Sequence, residues 1–523
     1  MLLASLVLFT LLVHRHALQG FFALDDLILF QQAAGIRPWP MTAWRWLSGW
    51  AWFRVTVPMW GHETFPYHLA SLLLHALNAV LLYRLARRWG ASSLAAWLGA
   101  GLFATSRLMF PALLAITSIG ELLSLTLLLA ALEFAGPPLR MLPALGVLAL
   151  AISSKESVML VAFAALFAWG GGESWRARGR VLLPLLAGGT LLGGALLALG
   201  IASGRLGGQA YSVSLGENLL ENVARLFGWS VDLRDPIPDL HAATLGASRF
   251  VLPGIALVLS VLAFRPGAPR LVRAGTAWWW LAVLPVLPLP GRTYLHYLVV
   301  PLAGLALVVA GLVEEFLARR ARAGEPIASR SAWAMALVVL ALYVGWNDVL
   351  LSMRVDLRMT STDWPLDPVL RKSEIARRAI GDVRHALAGR RAKVAILIPA
   401  SISRDVDLGS GQVSAETPVR RYALRDVLDE GRSLAALAPE ADSVVIVNDY
   451  EPGHDGWTYF LSRSDSHLVP LGRLPAAHAR FVEVMLASGL PDAARDYAGK
   501  ASADRPGDPE LHALLKRASA APR

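Results

Sequence analysis

Two adjacent carboxylates, Asp25 and Asp26, close the first apolar segment in Phe21-Phe22-Ala23-Leu24-Asp25-Asp26. Ionisable groups beside an apolar segment are costly to place, so a functional site is the first explanation to examine. Neighbouring carboxylates can raise one another's pKa and supply a general base, or hold a divalent cation through oxygen ligands. A solvated acidic turn that stops the helix is the plainer alternative. Further along, His68 and His75 stand seven residues apart on one helix face, with Asn78 near them. Such histidines serve either interhelical hydrogen bonds or ligation. Glu121 lies inside an apolar run, Lys155-Glu156 separates two more, and Arg292 stands in Pro290-Gly291-Arg292-Thr293-Tyr294-Leu295-His296-Tyr297. Lys155, Arg292 and Arg225 together suit a lipid phosphate, which needs fixed cations near the headgroups. The chain has no cysteine, so any chemistry must use oxygen and nitrogen groups.

The elements that position these residues are set by composition. With 55% hydrophobic and 17% charged residues and a mean hydropathy of +0.49, the 523-residue chain reads as a polytopic membrane protein. A purely soluble enzyme, a disordered chain and collagen are excluded. The net charge of +10 is uneven: residues 352–523 hold 24 Lys/Arg against 23 Asp/Glu, leaving 25 against 16 in residues 1–351. In the apolar part, 14 basic residues form five clusters, around Arg84–Arg88, Arg140, Arg176–Arg180, Arg265–Arg273 and Arg319–Arg330. The positive-inside rule makes these the cytoplasmic loops, so the charge does not point to nucleic acid.

A crossing needs about 20 apolar residues. Segments near 1–22, 66–86, 91–108, 112–135, 139–154, 156–171, 181–203, 250–264, 275–290, 295–317 and 332–351 give about 11 spans, with 139–154, 156–171 and 250–264 short and the pair around Ser153–Ser157 open to a re-entrant reading. The N-terminus is then cytoplasmic, and loops 23–65 and 204–249 and the tail lie outside. The first segment does not read as a removed signal peptide. Six tryptophans crowd into 23–65, where 40–53 reads as a helix lying on the outer surface. Loop 204–249 contains a helix-like stretch, Glu217 to Trp229, and is long enough to cover a site. Beyond 352, Lys393–Pro399 and Ser443–Asn448 read as buried strands, and segments near 373–389, 418–430 and 476–488 as amphipathic helices. The expected organisation is a membrane domain over 1–351, an extracytoplasmic α/β domain over 352–475, and a helical hairpin over 476–523, equivalent to one tetratricopeptide-like unit. Asp405, Asp407, Asp426 and Asp429 read as exposed charges.

The acidic pair, the PYHL...LLLHALNAVLLYRLARR helix, the SKES segment at 154–157 and GRTYLHYLVVPLAGLAL from Gly291 resemble, in this order, the GT-C glycosyltransferases. The nearest branch is O-mannosyltransferase-like and often fused to tetratricopeptide repeats. The resemblance covers roughly 15–315. It implies a hexosyltransferase of the cell envelope, multi-pass in a bacterial inner membrane, moving a sugar from a polyprenyl-phosphate donor to a protein or glycan acceptor on the outer face, with inversion. Asp26 or Asp25 would be the base, with a divalent metal (Mg or Mn) at Asp26 as an adjunct. Lys155 and Arg292 would neutralise the leaving phosphate, Arg225, Tyr294, His68 and Glu121 would complete substrate binding, and all would share one outer-face pocket. The chain departs from the family where a His-Pro-x-His-x-Glu stretch is usual: Ser106, Arg107, Met109 and Pro111 stand there, with Glu121 at the following Asp position.

Two other readings fit the same residues. A catalytically degenerate scaffold of this fold would retain the tail as a recruiting domain, and a lipid or solute transporter or flippase would use the buried charges for passage. No P-loop and no GxGxxG after a strand suggest a nucleotide-sugar enzyme.

Overall fold

The computed structural model describes all residues except 24, 40–43, 136–139, 169–174, 204–212, 241–245, 291, 325–328, 360–363, 399–422, 448–453, 455, 463–466 and 522–523. Asp405, Asp407, the first residues of the expected helix 40–53 and parts of loop 204–249 lie outside the described residues, as do the side chains of Arg176, Arg178, Arg180 and Asp426. The chain divides into two compact units, Met1–Gly20 with Pro40–Leu357, and Phe21–Trp39 with Arg358–Gly409 and Ala415–Arg523. Loop 23–65 is therefore split, and its acidic part belongs to the second unit.

The first unit is helical. In chain order the helices are α1 (Leu2–Val13), α2 (Asp25–Ala33, in the second unit), α3 (Trp52–Trp60), α4 (Thr64–Arg88), α5 (Ser93–Ala104), α6 (Phe110–Leu114), α7 (Ile119–Ala135), α8 (Met141–Ser154), α9 (Ala165–Ala168), α10 (Trp175–Ala202), α11 (Glu217–Val231), α12 (Ser248–Phe264), α13 (Arg270–Val283), α14 (Val299–Arg322) and α15 (Ser329–Asp356). Among the described residues, five stretches are long and apolar enough to cross a membrane: Thr64–Arg88, Ile116–Ala135, Leu182–Ala202, Leu295–Arg322 and Ser329–Asp356. Ser93–Ala104 with Arg107–Leu114, bent by 45°, makes a sixth if counted as one span. The other expected crossings are shorter helices: α1, α8, Glu156–Ala168 and α12 have 10–17 residues, and α13 has 14, with Arg270 and Arg273 at its start. The structure thus falls short of the expected 11 spans. Exposed Leu337, Val338, Val339 and Leu342 on α15, and Leu257, Val258 and Val261 on α12, form apolar faces of the kind that lipid covers.

Between apolar helices the bundle is fastened by polar groups and close backbone approach. The ring nitrogens of His14 and His75 both contact the Ala104 carbonyl, at 3.2 and 3.1 Å. Asn78 donates to the Leu122 carbonyl and accepts from the Thr126 hydroxyl at 2.7 Å. Such bonds satisfy groups that would otherwise be stranded without water. Helices α13 and α14 meet at glycines: a Cβ added at Gly304 would lie 2.7 Å from the Gly275 carbonyl oxygen and 3.0 Å from Trp278. Only small residues allow this approach.

The second unit is built on a sheet of β1 (Ala392–Leu397), β2 (Ala441–Val447), β3 (Thr458–Ser462) and β4 (Leu468–Arg473), ordered β2-β1-β3-β4. The first three are parallel, with Ile396 opposite both Ile446 and Phe460, and β4 is antiparallel to β3. Its helices are α16 (Pro368–Leu387), α17 (Ala423–Leu428), α18 (Arg432–Leu437), α19 (Ala476–Ala487), α20 (Pro491–Asp504) and α21 (Pro509–Ala520). Asp367 starts α16 by accepting from Val369 and Leu370 N–H at 2.8 Å, with Pro368 at the first helical position. The end of the chain is three helices rather than a hairpin. Phe481, Met485 and Tyr497 from these helices share one core with Leu397, Tyr459 and Leu461 of the sheet.

Replacing Gly304 by Leu forces backbone apart and should cost about 3 kcal/mol or more by the overpacking rule. A lowered thermal unfolding midpoint in detergent checks this; an unchanged midpoint contradicts the glycine contact.

Candidate active site

In the second unit, α2 begins with a local exchange of hydrogen bonds. The Asp26 N–H donates to the Ala23 carbonyl, and Asp26 Oδ2 accepts from the Ala23 N–H, each at 3.0 Å. This is the reach-back half of a capping box, and it explains why an acidic residue sits there. Asp26 is fully buried, whereas Asp25, about 100° around the helix, is exposed. The two carboxylates therefore occupy different environments. Asp26 shapes the turn with one oxygen, and Asp25 faces solvent. Among the described residues no three His, Asp or Glu side chains are grouped to hold a metal ion. With one Asp26 oxygen committed to its own turn, the pair does not present a two-carboxylate metal cradle, and no step below is routed through a metal.

Residues 21–37 are held by other parts of the same unit. The Ser373 hydroxyl of α16 accepts from the Phe21 N–H at 2.9 Å and donates to its carbonyl at 3.1 Å. Gln31 Nε2 donates to the Ser433 hydroxyl of α18 at 3.0 Å, and Arg37 pairs with Asp429 at 2.8 Å. Phe22 and Phe30, both buried, pack with ring centroids 4.2 Å apart.

In the first unit, Glu121 and Lys155 come together as an ion pair at 2.8 Å, with 3% and 12% of their side chains exposed. The local cause is Gly120. A Cβ there would lie 3.0 Å from Ser48 Oγ and 3.2 Å from the Ser154 carbonyl, so glycine lets the π-helical turn Trp46–Ala51 and the end of α8 close onto the start of α7. The Ser48 hydroxyl donates to that Ser154 carbonyl at 2.6 Å. Next to Lys155, Glu156 accepts from both Nε and Nη2 of Arg45, the Nε bond being 2.9 Å, and the Arg45 guanidinium lies 4.2 Å from the Trp44 ring centroid. The expected surface helix over 40–53 is thus the turn Trp46–Ala51 followed by α3, and its arginine is turned into the charge network.

The Lys155 ammonium also lies 5.3 Å from the Tyr297 ring. Tyr297 closes a short aromatic run: Tyr294 stacks on His296 at 5.3 Å, and His296 meets Tyr297 edge-on at 4.6 Å. The turn before it is held by Asn222 of α11, which donates to the Leu287 and Leu289 carbonyls at 2.9 and 3.1 Å and accepts from the Thr293 hydroxyl. Arg225 is one turn along from Asn222 and pairs with Glu221 at 3.6 Å. Arg292, half-buried, directly precedes Thr293. Arg225, Arg292 and Tyr294 are thereby gathered on adjoining segments, and Lys155 and Glu121 meet beside Tyr297. His68 is fully buried, with Nδ1 3.1 Å from the Leu113 carbonyl, in the fabric of the bundle.

Sequence reasoning gave no role of their own to Arg45, Asn222, Tyr297 and Arg107. Arg107, 2% exposed, donates from Nε and Nη2 to the Asp235 carbonyl and from Nη1 to that of Asp232, at 2.8–3.1 Å. It pins the exit of loop 204–249 at Asp232–Asp235. The signal for Arg45 and Arg107 was an arginine in an apolar surround, and for Tyr297 its place in the segment from Pro290 to Tyr297; for Asn222 there was none. Comparison with protein-family models finds no match, and comparison with curated proteins finds none.

Removing one member of a buried ion pair strands the other. Lys155→Met alone should lower stability by about 3 kcal/mol, and adding Glu121→Leu should recover most of it. Unfolding midpoints of the two single variants and the double variant in detergent read this, and strictly additive losses would refute the pairing.

Proposed function

We propose that the protein is a membrane glycosyltransferase of GT-C type that uses a polyprenyl-phosphate sugar on the non-cytoplasmic face. The acceptor hydroxyl oxygen attacks the anomeric carbon and its proton passes to the Asp25 or Asp26 carboxylate. The bond from that carbon to the phosphate oxygen breaks, its electron pair leaves with the polyprenyl phosphate, and the configuration inverts. The solvent-facing carboxylate of Asp25 is suited to meeting an acceptor, and Asp26 fixes the turn that carries it. The chain contributes positive charge for the leaving phosphate at Arg292 and Arg225.

The observation that carries this reading is the matched network Glu121–Lys155 and Glu156–Arg45 beside the Tyr294–Tyr297 run. Because a carboxylate already balances Lys155, its role is to hold Tyr297 and the segment behind Arg292 more than to take the phosphate charge alone. Aromatic faces and fixed charges side by side suit a sugar joined to a phosphate. The membrane-length helices support a lipid-borne donor, and the second unit is read as extracytoplasmic.

The test offers radiolabelled undecaprenyl-phosphate mannose, glucose and galactose to membranes containing the protein. Asp25→Asn and Asp26→Asn should each reduce sugar transfer at least about a hundred-fold, the usual scale for a general base. Wild-type transfer by both single variants and the double variant overturns the assignment.

A further inference from the structure

Helix α2 has nine residues, too few to be stable alone, so its orientation is fixed by what it packs on. Its buried residues are Asp26, Leu27, Phe30, Gln31 and, at the edge, Gln32. Apolar contact by itself tolerates small rotations and slides, because many packings bury similar area. Gln31 is different. It is fully buried, its Nε2 donates to Ser433, which is also fully buried, and its Oε1 has no partner among the described residues. An apolar side chain would fill this place without stranding an oxygen. What the amide supplies is direction: one hydrogen bond to α18 that sets the rotation of α2 about its axis. Asp25 and Asp26 lie six and five residues before Gln31 on the same short rod, so a rotation there carries both carboxylates with it. The Phe21–Ser373 exchange and the Arg37–Asp429 pair fix the two ends of the same segment.

We propose that the C-terminal α/β domain is the positioning element for the acidic pair, with Gln31 and Ser433 as positioning residues that aim the base at its acceptor. This rests on the reading of Asp25 and Asp26 as the general base. It gives the tail a part in the reaction itself: whatever alters α18 alters the aim of the carboxylates, and a misplacement of about 1 Å in such a group costs on the order of a hundred-fold in rate.

The experiment uses the full-length protein in lipid nanodiscs with two readouts: hydrogen exchange of amides 25–33, and steady-state transfer from radiolabelled undecaprenyl-phosphate hexose. Ser433→Ala should speed exchange across α2 by about tenfold, the loss of one buried hydrogen bond, while α4 and α7 exchange as before. It should lower kcat by about tenfold or more with the donor KM unchanged, and Ser433→Thr, which keeps the hydroxyl, should restore both. Unchanged exchange in α2, or faster exchange with wild-type kcat, overturns the positioning role. If Ser433→Ala retains kcat while Asp25→Asn and Asp26→Asn are inactive, only the positioning role falls. If both Asn variants keep wild-type kcat, the general-base reading falls and takes the positioning role with it.

Discussion

A charge placed at the edge of an apolar helical bundle must be answered by an opposite charge or by carbonyl oxygens, because water is scarce and leaving it unanswered costs several kcal/mol. That constraint organises the first unit. Glu121 in α7 answers Lys155 at the end of α8, Arg45 answers Glu156, and the carbonyls of Asp232 and Asp235 answer Arg107. Each pairing joins segments far apart in sequence, so the ion pairs also determine which loops lie together. The small residue at Gly120 is what allows the first of these to close.

The same constraint changes the part assigned to individual side chains. A lysine read alone as a cation for phosphate turns out to be half of a neutral pair, and the polar groups of α4 are bonded across helices. The second unit obeys a different rule. There the backbone of a short helix start is satisfied by Asp26, and the apolar faces of Phe22 and Phe30 are buried with it.

Much of the fold was legible because its signal is local. The membrane-length apolar helices, β1 and β2 with their unbroken apolar runs, and helices α16 and α19 all follow from periodicity. β3 and β4 were not, since β4 carries Pro470 and Gly472, which interrupt a strand pattern; among the described residues it is the edge strand beside β3, a position where proline is tolerated. Several apolar runs read as crossings are short helices, because Lys155-Glu156 and the arginines at the start of α13 cut them. At the site, residue type pointed to Asp25, Asp26, Glu121 and Lys155. It did not reveal that Asp26 is buried while Asp25 is exposed, nor that residues 21–39 fold with the tail, which depends on partners more than 300 positions away, such as Ser373 and Ser433.

The account stands on the acid-bearing segment being outside the cytoplasm, where a lipid-linked sugar would meet its acceptor. The chain has no native cysteine, so one introduced at Ile36, 39% exposed and near the end of that segment, is a clean reporter. A membrane-impermeant maleimide added to intact spheroplasts is expected to label Ile36→Cys, and to label Arg322→Cys at the basic end of α14 only after permeabilisation. Labelling of Ile36→Cys only after permeabilisation would put the carboxylates in the cytoplasm and contradict the account.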